Sequence, residues 1–141
     1  MDFVEDDGGR AVAGYTGDTG DCLVRAICII DEKPYKEVYD LVNEFCKDER
    51  NSKRRSRRSN ARTGVHKATA KRILHSLGFN WTPTMFIGSG CKIHLKAEEL
   101  PTGKLIAVVS KHWTAVIDGT IHDTYDPSRV GTRCVYGYWK K

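Results

Sequence analysis

The sequence predicts an α+β fold in which N-terminal helices pack on a C-terminal antiparallel β-sheet. Three observations carry that expectation. Three helical stretches rich in apolar residues fall between residues 22 and 78, short β-like runs follow residue 80, and an Asp118-Gly119 pair marks a hairpin between two of those runs. Helices first and strands second argue for segregated layers rather than alternating βαβ units. A length of 141 residues suits one core, so residues 1–141 read as a single domain.

Residues 5–21 are rich in Gly and Asp without periodicity and read as a loop-rich entry segment. Asp21 is a candidate N-cap for a helix beginning at Cys22, where CLVRAICII is apolar apart from Arg25, as expected of a helix buried on most sides. A second, amphipathic helix starts at Pro34 and buries Val38, Leu41, Val42 and Phe45. Residues 50–62 contain Arg50, Lys53, Arg54, Arg55, Arg57, Arg58 and Arg62 with Ala61 as the sole apolar residue. Like-charge repulsion predicts an exposed, mobile loop there. A third helix follows in GVHKATAKRILHSLGF, with a stop at Gly78. The β-like runs are WTPTMFI, CKIHL, KLIAVVS, HWTAVI, TIHDTYD and CVYGYW.

No apolar run approaches the roughly 20 residues of a membrane helix, and the acidic N-terminal stretch lacks a signal-peptide layout, so the expectation is a cytoplasmic chain with no membrane partner. Five scattered cysteines suit free thiols in a reducing compartment better than a disulfide framework. The net charge of +5 is concentrated in residues 50–62. Cys91 and His94 with Cys134 or His75 lack the paired spacing of a structural zinc site, so the reading includes no metal and no cofactor. Tyr136, Tyr138 and Trp139 read as an ordinary aromatic strand.

Asp-Gly in a two-residue loop favours a type I′ turn and so sets the hairpin register. With Ile117 facing Thr120, Thr114 faces Asp123 and His112 faces Tyr125, which puts these four side chains on one face and His112 diagonal to Asp123. A carboxylate there fixes the imidazole tautomer and stabilises its charged form, whereas His122 and Asp126 point away. Cys22 heads a helix, where exposed N–H groups and the dipole favour a thiolate. Cys28, six residues on in the same apolar helix, belongs to the core.

The segments GDCLVRAI and, about ninety residues on, HWTAVIDGTIHDTYDP resemble the papain-like cysteine peptidase superfamily. In that superfamily a Cys begins the central helix and a His on one strand is followed by Asn or Asp on the next, which match Cys22, His112 and Asp123. DCLVRAI is also similar to the nucleophile motif of ovarian-tumour-type deubiquitinases, and the His to Asp-Pro segment to bacteriocin-processing peptidase domains. The layout as a whole resembles small phage and bacterial proteins with GDC, an Arg-rich loop and an HDTYDPS-like ending, which implies the host cytoplasm for a phage-encoded chain. The resemblance implies a papain-like fold and a cysteine hydrolase that cleaves a peptide, isopeptide or related amide bond, with a protein or peptide substrate. Papain-type enzymes place an oxyanion-stabilising Gln before the nucleophile, and this chain contains no Gln. Thr16, Asp18 and Thr19 stand in that region, and a hydroxyl of Thr16 or Thr19 donates where a carboxylate does not.

The alternative is a non-catalytic module of the same fold. In it Arg54, Arg55, Arg57 and Arg58 bind nucleic acid or an acidic protein with strongly salt-dependent affinity.

Overall fold

The computed structural model describes residues 1–17, 19–49 and 58–141. It is an α+β arrangement of three helices and a six-stranded mixed sheet. The elements are β1 (Asp2–Glu5), α1 (Cys22–Asp31), α2 (Tyr35–Cys46), α3 (Lys67–Ser76), β2 (Asn80–Pro83), β3 (Lys104–Val109), β4 (His112–Ile117), β5 (Thr120–Asp123) and β6 (Gly137–Lys140), with one 3-10 turn at Ala97–Glu99. All three helices lie where apolar periodicity places them.

The sheet order is β1-β5-β4-β3-β6-β2. Every pairing from β5 to β2 is antiparallel, but β1 joins β5 in parallel, with Val4 opposite His122. The sheet is therefore mixed, which corrects the expectation of a purely antiparallel one. CKIHL forms no strand and contributes only an isolated bridge between His94 and Cys134.

The β3 run LIAVV is buried at every position because both faces of the central sheet are covered. On one face Ile106, Val108, Ala115 and Trp139 meet α1, α2 and α3 through Val24, Ile27, Val38, Ile73 and Leu74. On the other, Leu105, Ala107, Val109, Val116 and Ile121 pack beneath Leu95, Leu100 and Val135. Helix α1 lies against β3, β4, β5 and α2 and buries all but its ends and Ile29. Fully burying each of these aliphatic side chains stabilises by about 1.5–3 kcal/mol relative to exposure. Cys28 lies in this core, and burial pushes its thiol up to about 12.

Two sequence expectations are corrected by local structure. Cys91 and Cys134 are joined as a disulfide, which leaves Cys22, Cys28 and Cys46 as free thiols. The chain bends back at Phe86–Ser89 and the His94–Cys134 bridge aligns the two segments, which scattered spacing in sequence could not reveal. Second, residues 58–62 are not an exposed loop: Ser59 and Ala61 are buried. The Glu49 carboxylate accepts from the Ser59 backbone at 2.5 Å and from the hydroxyls of Ser59 and Thr69. Burial works against this charge, yet those donors hold the Glu49 pKa below its usual range. Asn43 Oδ1 likewise accepts from Ala61 N at 2.8 Å. Polar anchors thus order a segment whose charge suggested otherwise.

Candidate functional site

The β4–β5 hairpin turns at Asp118 and Gly119, both with positive φ (47° and 78°), and pairs Ile117 with Thr120 as the Asp-Gly signal predicts. That register carries His112, Thr114, Asp123 and Tyr125 to one face. His112 Nε2 donates to Asp123 Oδ2 at 2.7 Å, and Thr114 Oγ1 donates to the same oxygen at 2.7 Å. Asp123 Oδ1 accepts from Thr124 N at 2.7 Å. Both His112 and Asp123 are buried, and the Tyr125 ring lies 5.1 Å from the imidazole. His122 instead reaches towards Asp6 at 3.7 Å, and Asp126 accepts from Ser128 N.

With Nε2 committed to Asp123, Nδ1 is the ring nitrogen left for Cys22, which lines the same cleft as His112. Burial by itself disfavours a charged imidazole. The hydrogen bond to Asp123 and its negative charge, with a further contribution from Cys22, outweigh it and raise the His112 pKa to about 9. Burial likewise works against the Asp123 carboxylate, but His112, Thr114 and the Thr124 amide hold its pKa below the usual range. The geometry therefore favours imidazolium and carboxylate together.

Asp21 does not cap α1 with its side chain. Its buried carboxylate accepts from Thr19 Oγ1 at 2.7 Å, Arg25 Nη1 at 2.8 Å and Tyr35 Oη at 2.5 Å, and lies 3.6 Å from Arg10 Nε. The capping expectation fails because these longer-range donors outcompete the first-turn amides for the carboxylate. Arg25 then extends to Asp123, with Nη2 3.6 Å from Oδ1. One guanidinium thereby ties the head of α1 to the end of β5. A lone Arg in an otherwise apolar helix is the sequence signal for this role.

Cys22, His112, Arg25 and Thr19 line a cleft of about 470 Å³. Its far wall is the stretch Thr63–Val65 with Lys67, and its near rim Lys111, Trp113 and Tyr125. Gly20 makes the wall possible: its N–H donates to Arg62 O at 2.7 Å, and a Cβ there would come within 2.8 Å of Thr63 O. Thr16 is exposed, does not line this cleft, and accepts from Arg62 through its carbonyl. The Thr19 hydroxyl faces Asp21. Of the basic-loop residues, Arg58 donates through Nε to Glu49 O at 3.1 Å, whereas Arg54, Arg55 and Arg57, like Asp18, lie outside the described residues.

Among the described residues no helix is long and apolar enough to cross a membrane, and no group of three or more His, Cys, Asp or Glu side chains is arranged to hold a metal ion. Comparison with protein-family models, curated proteins and solved structures finds no match to this chain.

Proposed function

We propose that this protein is a papain-like cysteine hydrolase acting on a peptide, isopeptide or related amide bond. The observation that carries the reading is the buried 2.7 Å contact of Asp123 with His112, which lines the same cleft as Cys22 at the head of α1. In the proposed mechanism Cys22 attacks as the thiolate with His112 as the imidazolium, and the His112 pKa of about 9 supports the charged ring.

The thiolate attacks the substrate carbonyl carbon, and negative charge moves to its oxygen, near the Cys22 backbone N–H. Collapse of this intermediate breaks the C–N bond as His112 Nδ1 delivers its proton to the departing nitrogen, leaving a thioester and a free amine. Water then attacks the thioester and gives a proton to His112. The acid leaves and the thiolate–imidazolium pair is restored. Asp123, with Thr114 donating to its other lone pair, orients the ring throughout.

The reading is tested by iodoacetamide alkylation, mapped by mass spectrometry, across pH. Labelling of Cys22 that persists near pH ~6 and is lost in His112→Ala supports it, because only a thiolate alkylates readily. Labelling of Cys22 with the same pH profile in both proteins sinks it.

A further inference from the structure

Beside the cleft lies a second hollow of about 220 Å³, lined by Trp81, Trp113, Tyr136 and Trp139 over Val108, with Lys67 and Lys71 at its mouth. Lys67, Val108 and Trp113 line both spaces, so the two adjoin. A volume of this size falls below the ~300–1,000 Å³ of a site that encloses a whole small ligand, and suits one large side chain of a longer one. The aromatic wall is built deliberately. The Trp81 ring sits 5.1 Å from Trp139 and directly over Gly137, where any Cβ would collide with the indole and approach Thr82 O to 2.7 Å. Gly137 has no positive φ to explain it, so close approach of Trp81 is the reason for glycine there.

The mouth is positive. Lys67 and Lys71 are four residues apart on α3, hence on one face and mutually repulsive, and among the described residues neither has an ion-pair partner. Lys67 and Lys111 also line the adjoining cleft, whose lining includes no Asp or Glu, whereas the Arg25 there is already paired with Asp21 and Asp123. A carboxylate at the mouth would relieve this repulsion.

We propose that this hollow is the specificity subsite of the hydrolase, taking a large apolar or aromatic substrate side chain while Lys67 and Lys71 bind an acidic residue next to it. The assignment rests on the cysteine hydrolase reading and names its substrate class: a peptide with an acidic and a bulky apolar residue side by side, close to the scissile bond.

The test uses acetyl-Glu-Phe-Gly and acetyl-Phe-Glu-Gly chloromethyl ketones, whose chloride is displaced by a cysteine thiolate, against counterparts with Lys for Glu or Gly for Phe. Rates of Cys22 alkylation are divided by the iodoacetamide rate of the same protein. At least one Glu/Phe order should exceed its Lys counterpart about fivefold, an advantage reversed in Lys67→Glu/Lys71→Glu and reduced by salt. It should exceed its Gly counterpart about tenfold, an advantage lost in Trp81→Ala. Equal normalised rates for all probes, with His112-dependent iodoacetamide labelling intact, overturn the subsite and leave the hydrolase reading standing. If that labelling does not depend on His112, tryptophan fluorescence titration with acetyl-Glu-Phe-amide decides the subsite alone. Saturable change abolished by Lys67→Glu/Lys71→Glu upholds a binding pocket of this chemistry, and no saturable change overturns it.

Discussion

At the scale of single residues, the candidate site is an alternation of charges, Asp21, Arg25, Asp123 and His112 in turn, with Cys22 lining the same cleft. Each carboxylate in this series is buried and takes more than one donor, so none is an uncompensated charge. Replacing Asp123 by Asn preserves shape and an acceptor but removes the charge facing the imidazole. The His112 pKa should then fall from about 9 towards the ordinary ~6.5, read by NMR titration of the ring. A titration unchanged in Asp123→Asn would show that Asp123 does not support the imidazolium. Arg25→Leu removes the cation shared by two buried carboxylates and should cost about 3–5 kcal/mol in urea unfolding. A loss under about 1 kcal/mol would mean the bridge behaves as a solvated surface pair.

At the scale of elements, β1 has a use that its position in the chain hides. It flanks β5 in parallel, and just beyond it Asp6 N donates to Asp123 O at 2.8 Å, so the strand that holds the orienting carboxylate is not a sheet edge. Removing residues 2–6 should raise amide exchange at Thr120–Asp123 and slow Cys22 alkylation at low pH, while α2 and β6 stay protected. Uniform exchange loss, or none in β5, would assign β1 no such local role. Legibility in the sequence divides along the same line. Local signals placed the three helices, the Asp118-Gly119 turn and hence the His112–Asp123 pairing, since each depends on residues within a turn or two of one another. What remained hidden depends on distant partners: the parallel β1 edge, the Cys91–Cys134 bridge, and the capture of Asp21 by Arg25 and Tyr35. The 58–62 segment departs from the expected exposed loop because Ser59 and Ala61 are anchored by Glu49, just after α2, and Asn43, within it, which charge density alone does not reveal.

At the scale of the whole molecule, the site should couple stability to pH, because His112 and Asp123 titrate differently folded and unfolded. His112 binds its proton up to about 9 in the fold against ~6.5 in an unfolded chain. Its stabilisation is therefore fully present below pH ~6.5 and lost as pH rises through about 9. Asp123 is shifted the other way: its stabilisation is present above ~3.9 and is lost as pH falls through its lower folded value. The two contributions overlap as a plateau between pH ~4 and ~6.5, followed by an alkaline decline on the order of 2–3 kcal/mol. A Cys22 thiolate works against this decline, because it has released in the fold a proton that the unfolded thiol keeps up to ~8.5, so the His112 decline is read in Cys22→Ala and should be abolished by adding His112→Gln. Urea unfolding at intervals from pH 5 to 9.5 measures all three proteins on one scale. A Cys22→Ala curve that runs parallel to the double variant across that range would mean the imidazole carries no extra proton in the fold, and the imidazolium assigned to the site would have to be abandoned.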